Sequence, residues 1–342
     1  MITKKRMANT KKLSLKTIAE RAHCSTATVS NVLNKKGNYS TETETEIQKI
    51  IKELGYSVNF KARMLRTGKT QTIGVVFYRS NTDIFKNEYY LNLMHNLQKR
   101  LSEYNYELLI SEFTPENVET KTPPNCIKYG KVDGVVLLGG FPEAAADIIK
   151  TSEIKCVALD TYISGIDSIT TNGFEATQRM VQTALLKGAK DLTYFAFDHD
   201  DYNTKERLGG FKNAVSKFAV QNAKVFDKFD TEAEAIEIFD KNFDKGIQNG
   251  AVFSCNDNLA IALMNHAKKL GYNIPAQLSF FGYDSIQMSK ITSPSLSTAV
   301  TDTRKMGEMG ADAILSRINN PEGDVFFKLL DTKIEYRESS LQ

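Results

Sequence analysis

The sequence predicts an α/β protein with two doubly wound parallel sheets, preceded by a small all-α headpiece. From Thr72 onward, apolar runs alternate with helical patterns at the spacing of strand–helix units. The pattern restarts near Thr171-Asn172, which predicts two similar lobes with a cleft between them. The residues before Thr72 show helical periodicity instead. A chain of 342 residues has room for two or three such domains.

Two short helices separated by a tight turn are predicted first. Ser14 and Ser25 are their expected N-caps, because a serine oxygen accepts from free first-turn amides. The inward residues of the two helices are Leu15, Ile18, Ala19, Ala22, Val29, Val32 and Leu33. The outward residues of the second helix are small or polar, namely Thr26, Ala27, Thr28, Ser30 and Asn31. They suit a DNA major groove, although the spacing alone fits any helical hairpin.

A third helix is predicted from the cap Ser40 to the stop signal Gly55. Its apolar face carries Ile47, Ile50, Ile51 and Leu54. Its exposed side carries three carboxylates, which repel phosphate and should point away from DNA; they are Glu42, Glu44 and Glu46. The basic stretch that follows is either a linker or a short helix capped by Asn59 that forms only on DNA, with Leu65 as a minor-groove wedge.

Strands and helices alternate through the rest of the chain. Strands are predicted at 73–77, 108–110, 132–138, 156–159, 192–197, 251–254, 278–282 and 333–336. Helices are predicted at 92–101, 144–149, 176–186, 209–218, 232–239, 260–270 and 306–318. No glycine-rich dinucleotide fingerprint follows the first strand and no P-loop lysine motif occurs, so a nucleotide phosphate site is not supported.

The amino-acid composition narrows the class of protein further. The net charge is only +3, so the chain as a whole is not a polycation. The basic residues near its start form either a solvated tail or an arm that contacts phosphates; they are Lys4, Lys5, Arg6, Lys11 and Lys12. The scattered Cys24, Cys126, Cys156 and Cys255 are expected to be reduced thiols, and neither a metal site nor a cofactor is expected. Without a membrane-spanning run or a signal peptide, we expect a cytoplasmic protein.

Several ordered motifs are similar to those of one protein family. They are Ile18-Ala19, Ala27-Thr28-Val29-Ser30-Asn31-Val32-Leu33-Asn34, Glu53-Leu54-Gly55-Tyr56, Asn59 with Ala62-Arg63, Leu65-Arg66-Thr67-Gly68, Ile73-Gly74-Val75, Val132-Asp133-Gly134, Arg207 before Gly210-Phe211, Asn256-Asp257 and Gly282-Tyr283-Asp284. Through them the chain resembles the lactose-repressor/galactose-repressor (LacI/GalR) family of bacterial transcription regulators over essentially its whole length.

The resemblance implies a helix-turn-helix headpiece at 1–56, a hinge helix and linker at 57–71, and a periplasmic-binding-protein-like effector and dimerisation domain at 72–342. The expected N-lobe covers about 72–171 and 299–328, and the expected C-lobe covers about 172–298 and 329–342. The chain departs from the family at three positions. His23 and Val58 stand where glycine and proline are usual, and Asn31 replaces a common arginine, which favours adenine over guanine in the half-site.

The resemblance also implies two sets of binding residues. The DNA-binding set is Ser25, Thr26, Ala27, Thr28, Ser30, Asn31, Asn34, Tyr39, Asn59, Ala62, Arg63, Leu65 and Arg66. The effector positions are Asp160, Arg207, Asn256 and Asp284, with candidate aromatic walls at Tyr78, Phe85, Tyr89, Phe141, Phe229 and Tyr283. An arginine fork or a carboxylate can hold two adjacent sugar hydroxyls. The acidic run 198–201 is interpreted as a polar loop at the cleft edge.

The expected function is a dimeric repressor that binds pseudopalindromic operator DNA and is controlled by a sugar or sugar phosphate bound between the lobes. One alternative is a catabolite-control regulator with a phosphoprotein corepressor. Others are a carbohydrate-active enzyme or dehydrogenase, and a sugar-binding protein for transport. The chain shows no nucleophile–base motif, so no enzymatic activity is expected. The absence of a terminal heptad helix favours a dimer over a tetramer.

Overall fold

The computed structural model describes residues 14–33, 37–55, 64, 67–79, 84–198, 201–244 and 246–340. The chain divides into two units, one ending at Lys69 and the other beginning at Thr70. Asn34 and most of the predicted hinge helix lie outside the described residues, including Asn59, Ala62, Arg63, Leu65 and Arg66. Met64 and Thr67 are helical, and the Gly68 amide donates to the Met64 carbonyl at 2.8 Å. Gly68 itself has a φ of +67°, the left-handed conformation that is common just after the end of a helix.

Three helices form the described part of the first unit: α1 (Leu15–Arg21), α2 (Thr26–Leu33) and α3 (Thr41–Leu54). The three predicted serine caps are confirmed, because Ser14, Ser25 and Ser40 accept from main-chain amides three residues on. Gly55 ends α3 in the left-handed conformation, as predicted. The buried core that the helices share consists of Ile18, Ala19, Val29, Val32, Ile47 and Ile50. This core fixes which face of α2 is left to solvent.

The sheet of the N-lobe has six parallel strands. They are β1 (Thr72–Tyr78), β2 (Glu107–Phe113), β3 (Gly134–Leu138), β4 (Cys156–Leu159), β5 (Asp167–Thr171) and β11 (Phe327–Leu330). Their order is β11-β5-β4-β3-β1-β2. Strands β1 and β3 are buried on both faces, as expected for a parallel sheet covered by helices.

The C-lobe sheet also has six strands. They are β6 (Asp191–Phe195), β7 (Asn222–Phe226), β8 (Gly250–Ser254), β9 (Leu278–Asp284), β10 (Ser297–Val300) and β12 (Lys333–Glu335). Their order is β12-β10-β9-β8-β6-β7, and β12 is antiparallel to β10. The predicted pair of doubly wound sheets is confirmed, with this one antiparallel edge strand.

Helices cover both faces of the two sheets. They are α4 (Glu88–Ser102), α5 (Pro115–Glu119), α6 (Asn125–Lys128), α7 (Glu143–Thr151), α8 (Gly173–Leu186), α9 (Tyr202–Lys217), α10 (Glu232–Asn242), α11 (Asp257–Lys269), α12 (Gln287–Ile291) and α13 (Thr303–Asn319). No helix of the described residues is both long enough and apolar enough to cross a membrane.

The chain passes between the lobes three times. It first leaves the N-lobe between β5 and α8. It returns after β10, which pairs with β9 as far as Val300, and crosses again after β11, which pairs with β5 as far as Leu330. Both later crossings therefore lie about two residues after the expected lobe boundaries at 299 and 328. The reason is that β10 and β11 stay paired as far as Val300 and Leu330. Strands β5, β7, β10 and β11 are further corrections, since the sequence analysis predicts no strand there.

Candidate functional site

The outward face of α2 is the candidate DNA-contacting surface. Ser25, Thr26, Ala27 and Asn31 are exposed, whereas Thr28 and Ser30 are half-buried. Val29 and Val32 are the buried residues of this helix, and Thr26, Ala27, Ser30 and Asn31 point away from them. The chain comes close to Asn31 at Gly37, where a Cβ atom would lie 3.0 Å from the Asn31 side-chain nitrogen. The face is small and polar, as a helix lying in the major groove requires.

The turn between α1 and α2 has a left-handed residue. His23 has a φ of +51°, and the next amide, that of Cys24, donates to the Ala19 carbonyl at 3.0 Å. The position where the resemblance implies glycine therefore does require the conformation that favours glycine. Tyr39, the remaining described member of the predicted DNA-binding set, is half-buried against the core of this unit. Arg21 of α1 pairs with Glu53 of α3 at 3.0 Å and ties the helices together.

A second candidate site lies between the lobes, where buried polar side chains meet. Asp160 directly follows β4, Asp284 ends β9, and Arg207 lies on α9. Their exposed fractions are 4%, 8% and 8%. Two of them stand at the carboxyl ends of parallel strands, which is the edge where doubly wound sheets bind their ligands. The structure therefore brings these three sequence-predicted effector positions into one cleft.

Arg207 is the cation of this site. Its guanidinium carbon lies 3.7 Å from the centre of the Tyr283 ring, and its Nη2 lies 3.6 Å from Asp284 Oδ1. Its Nη1 donates to the Cys255 carbonyl. Gly173 lets the arginine approach α8, because a Cβ atom there would lie 2.9 Å from Arg207 Cγ. Stacking on the Tyr283 ring and the hydrogen bond to the Cys255 carbonyl hold the guanidinium in a fixed plane.

Two buried polar atoms of this pair have no hydrogen-bond partner in the described chain, namely Arg207 Nε and Asp284 Oδ1. Such orphaned atoms are rare in folded proteins, since leaving one unpaired costs about 1–3 kcal/mol. One is a donor and the other an acceptor, so an alcohol group, which both donates and accepts, complements the pair. The chemistry of the cleft thus fits a polyhydroxylated ligand.

Asn203, one helical turn before Arg207, joins the lobes. Its amide donates to the Asp160 carbonyl at 2.7 Å and to Asp160 Oδ1 at 2.9 Å, and its oxygen accepts from Thr170 Oγ1 at 2.8 Å. Asn203 is thereby fully satisfied by N-lobe partners. The sequence analysis missed this residue, although its spacing of four from Arg207 places both on one face of a helix.

Two neighbouring tyrosines of α4 complete the N-lobe wall. Tyr90 donates its hydroxyl to Asp160 Oδ2 at 3.2 Å, and the predicted wall residue Tyr89 donates to the Met306 sulfur at 3.7 Å. The two rings are 5.1 Å apart. Tyr90 is therefore a second residue that the sequence analysis missed. Burial, reinforced by Asp160, raises the pKa of both hydroxyls, which stay protonated as donors.

Burial changes the protonation of the carboxyl groups in the cleft. It raises the pKa of Asp160 to about 6, against the opposing attraction of Arg207 and the hydrogen bond from Tyr90. It also raises the pKa of Asp284, again opposed by Arg207. Burial lowers the pKa of Arg207 itself, but Asp284, Tyr283 and Asp160 outweigh it, so that the net shift is upward. The arginine is thus permanently charged, and the pKa of Asp160 lies at about 6.

The loop that presents Asp284 has an unusual backbone. Asp284 and Ser285 have φ values of +110° and +56°, which are costly for residues with side chains. Asp257, fully buried at the start of α11, holds this loop by accepting from the Ile286 amide at 2.9 Å and from Thr298 Oγ1 at 2.6 Å. Burial raises its pKa to about 7. Asp257 is therefore a positioning residue for Asp284.

Other predicted effector residues have different surroundings. The oxygen of Asn256 accepts from the Leu259 amide at 2.9 Å, so this side chain caps α11. Phe229 is 4% exposed and packs on Phe195 and Phe197 in the C-lobe core. Its expected role as a cleft wall stays a prediction.

The remaining aromatic candidates belong to the N-lobe. Phe85 is 51% exposed and contacts Phe77 edge-on, so it does not form a closed wall in this conformation. Tyr78 and Phe141 pack with Phe113 in an aromatic cluster at the carboxyl ends of β1 and β2. Tyr283, by contrast, lies under Arg207 in the cleft.

The acidic run contributes a structural contact between the lobes. Asp201 caps α9 by accepting from the Thr204 amide at 3.0 Å, and Asp198 pairs with Lys228 at 3.0 Å. A Cβ atom on Gly140 of the N-lobe would lie 2.7 Å from the Asp201 Cβ atom, so only glycine permits this approach. Within the described residues, no three or more potential metal ligands come together.

Two family models match the chain. Residues 14–59 match the DNA-binding model of bacterial regulatory proteins of the lacI family, and residues 181–340 match a periplasmic binding protein-like domain. The first match covers the whole described headpiece. The second covers most of the C-lobe together with α13 of the N-lobe.

Full-length relatives agree with these matches. The ribose operon repressor of Haemophilus influenzae is 27% identical over 95% of this chain and 98% of its own length. Catabolite control protein A of Staphylococcus xylosus is also 27% identical, over 94% and 97%. Among solved structures, the lac repressor dimer bound to operator and an anti-inducer superposes with a TM-score of 0.81 at 20% identity, covering 97% of this chain and all of that chain.

Proposed function

Given that this chain belongs to the LacI family of bacterial regulatory proteins, with a DNA-binding domain and a periplasmic-binding-protein-like domain, we propose that it is an operator-binding transcriptional repressor controlled by a sugar. The observation that carries the proposal is the presence in one chain of a helix-turn-helix unit with a polar outward face and of a cleft in which Arg207 and Asp284 remain partly unsatisfied. Such a protein works in the cytoplasm, as a homodimer.

In this proposal α2 reads the operator. Thr26, Ala27 and Asn31 contact base edges, and the adjoining Ser25, Thr28 and Ser30 position the helix on phosphate. An asparagine pairs bidentately with adenine, so the half-site carries an A·T pair opposite Asn31. Asn34, Tyr39 and the hinge residues Asn59, Ala62, Arg63, Leu65 and Arg66 are proposed to contact the DNA backbone and minor groove. Two copies place two recognition helices about one helical turn of DNA apart.

The sugar is proposed to bind at the cleft residues Asp160, Arg207 and Asp284. Tyr90 and Asn203 belong to the same set, because both bond to Asp160. The first relative is named as a ribose operon repressor, which makes D-ribose the first probe. A ligand that prefers one arrangement of the lobes shifts their equilibrium, and this shift alters the affinity for DNA.

The test begins with selection of duplexes from a random pool by the full chain. The proposal expects enrichment of a symmetric site, and a panel of sugars and sugar phosphates that includes D-ribose should contain one that raises the melting temperature and changes affinity for that site. Replacing Leu65 by alanine should weaken binding of the site sharply and leave the melting shift intact. A chain that enriches no symmetric site, with or without any sugar, would refute the proposal.

A second candidate is a catabolite-control regulator with a phosphoprotein corepressor. It is favoured by the equal identity to catabolite control protein A. The two candidates differ in what changes DNA affinity. Phosphoproteins from a bacterial lysate, added to the full chain on the selected duplex, would raise the affinity for DNA only under the second candidate, and phosphatase treatment would abolish the effect. A free sugar acts alone under the first candidate.

A further inference from the structure

The motif Val132-Asp133-Gly134 has a role that the DNA face and the cleft do not explain. Asp133 precedes β3, at the amino ends of the N-lobe strands, which is the edge opposite the effector cleft. Its flanking residues have packing roles. Val132 is buried in the core, and a Cβ atom on Gly134 would lie 3.0 Å from both Ile314 Cδ1 and the Lys155 carbonyl oxygen. Packing does not account for the carboxylate between them.

The carboxylate of Asp133 holds the first residues of the second unit. Its Oδ1 accepts from the Thr70 amide at 2.6 Å and from the Thr70 hydroxyl at 2.8 Å, and its Oδ2 accepts from the Gln71 amide at 3.0 Å. Thr70 is 7% exposed. The Asp133 amide also donates to the Thr72 carbonyl at 2.9 Å. Four hydrogen bonds therefore fix residues 70–72 to a single residue of the N-lobe.

The anchored residues follow Gly68 closely along the chain. Only Lys69 lies between Gly68 and Thr70, and its amide donates to Thr67 Oγ1 at 3.2 Å. Gln71 has a φ of +50°, a conformation that its side chain does not favour, and its carbonyl accepts from Glu107 at the start of β2. The backbone of residues 70–72 is thus held by contacts within the second unit.

We propose that Asp133 is the anchor through which the N-lobe positions the DNA-contacting hinge segment, so that lobe movement reaches the DNA-binding unit. This inference rests on the proposed function. Asp133 is a positioning residue, since it acts through Thr70 and Gln71. Without its carboxylate, residues 69–71 gain conformational freedom that DNA binding must then remove.

The test compares Asp133→Asn with Asp147→Asn, which makes the same charge change at an exposed site of the N-lobe where Asp147 pairs with Lys150. Affinity for the duplex selected by the wild-type chain is measured with and without D-ribose. We expect Asp133→Asn to lose about tenfold in affinity, because ordering one backbone residue costs about 1–2 kcal/mol, and Asp147→Asn to stay within about twofold of wild type. Thermal shifts with D-ribose should be equal in all three chains, because the cleft lies at the opposite edge.

Amide hydrogen exchange at Thr70 and Gln71 is the second measurement. It reports whether these two residues become more mobile in the variant, and the proposal requires that this mobility and the loss of DNA affinity occur together. Faster exchange at these amides together with unchanged DNA affinity would overturn the proposal. If Asp133→Asn does not fold, Thr70→Val takes its place. It removes the hydroxyl that donates to Asp133 and accepts from the Thr72 amide. This variant is expected to lose about tenfold in DNA affinity, as loss of two hydrogen bonds predicts, and unchanged affinity overturns the inference there too. Failure of the wild-type chain to select any duplex would instead refute the proposed function, before any variant is compared.

Discussion

Asn203 of the C-lobe donates both hydrogens of its amide to Asp160 of the N-lobe, one to the carbonyl at 2.7 Å and one to the carboxylate at 2.9 Å. The side-chain oxygen of Asn203 accepts from the Thr170 hydroxyl at 2.8 Å. The lobes are therefore joined by a buried and fully paired amide beside the unsatisfied pair of Arg207 and Asp284. A ligand that enters this cleft acts on the contact that holds the lobes together.

Replacing Asn203 by alanine should lower the free energy of unfolding by about 2 kcal/mol, because the buried partners on Asp160 and Thr170 lose their hydrogen bonds. Urea denaturation measures the change. Asn213→Ala on the same helix is the matched control, since Asn213 makes an exposed bond with Gln178. Equal losses in the two variants would show that Asn203 does not join the lobes.

Replacing Arg207 by methionine should abolish sugar binding and lower the free energy of unfolding by about 3–5 kcal/mol, because Asp284 is left buried without its cation. Calorimetric titration and denaturation measure the two effects. Arg304→Met is the control, since Arg304 forms an exposed pair with Glu308. Full sugar binding by Arg207→Met would remove this arginine from the effector site.

The stability of the protein should depend on pH through Asp160. Its pKa is raised in the folded state from 3.8 to about 6, so the folded chain holds this proton more tightly than the unfolded chain between these values. Its stabilising contribution is complete below pH 3.8 and is lost as the pH rises to about 6. The free energy of unfolding of Asp160→Asn should therefore rise by about 2–3 kcal/mol relative to that of the wild type as the pH goes from 4 to 7. Urea denaturation of both chains across this range gives the difference, and a constant difference would contradict the shift.

The helix-turn-helix should become more stable when His23 is replaced by glycine. The left-handed conformation of His23 costs about 1 kcal/mol, which glycine avoids. Hydrogen exchange of the Cys24 amide, which is bonded to Ala19 across the turn, should slow about fivefold. His23→Val is the opposing control, because a β-branched residue tolerates this conformation least and should speed exchange. Slower exchange in the valine variant would contradict the argument.

Apolar periodicity in the sequence predicts the architecture well, since α1, α3, β4 and the two lobes follow directly from it. It fails where a buried surface is polar. Helix α9 is expected from residue 209 and in fact begins at Tyr202, because its first inward residues are Asn203 and Arg207, which belong to the site. Because these two inward residues are polar, the first turns of α9 lack the apolar periodicity by which a helix is predicted.

The missed strand β5 has the same cause. Its sequence, Asp167 to Thr171, is mostly polar yet fully buried, and its polar atoms have specific partners. Asp167 binds the Arg317 guanidinium in a two-pronged pair at 2.7 and 2.8 Å. Such a partner 150 residues away cannot be inferred from local pattern.

Sequence reasoning predicted Asp160, Arg207 and Asp284 through the family resemblance, whereas the contacts of Asn203, Tyr90 and Asp257 emerged only from the structure. These three side chains bond to distant segments, so the local sequence does not name their partners. Phe229 shows a second limit of sequence reasoning. An aromatic residue after a strand can face the cleft or the core, and its packing on Phe195 and Phe197 is visible only in the structure.

The most direct measurement is the affinity of the full chain for its selected symmetric duplex, titrated with the sugar that raises its melting temperature. The account predicts that this sugar changes DNA affinity at least tenfold in the wild-type chain and leaves it unchanged in Arg207→Met. The same change in both chains, or none in either, would contradict the claim that the cleft controls DNA binding.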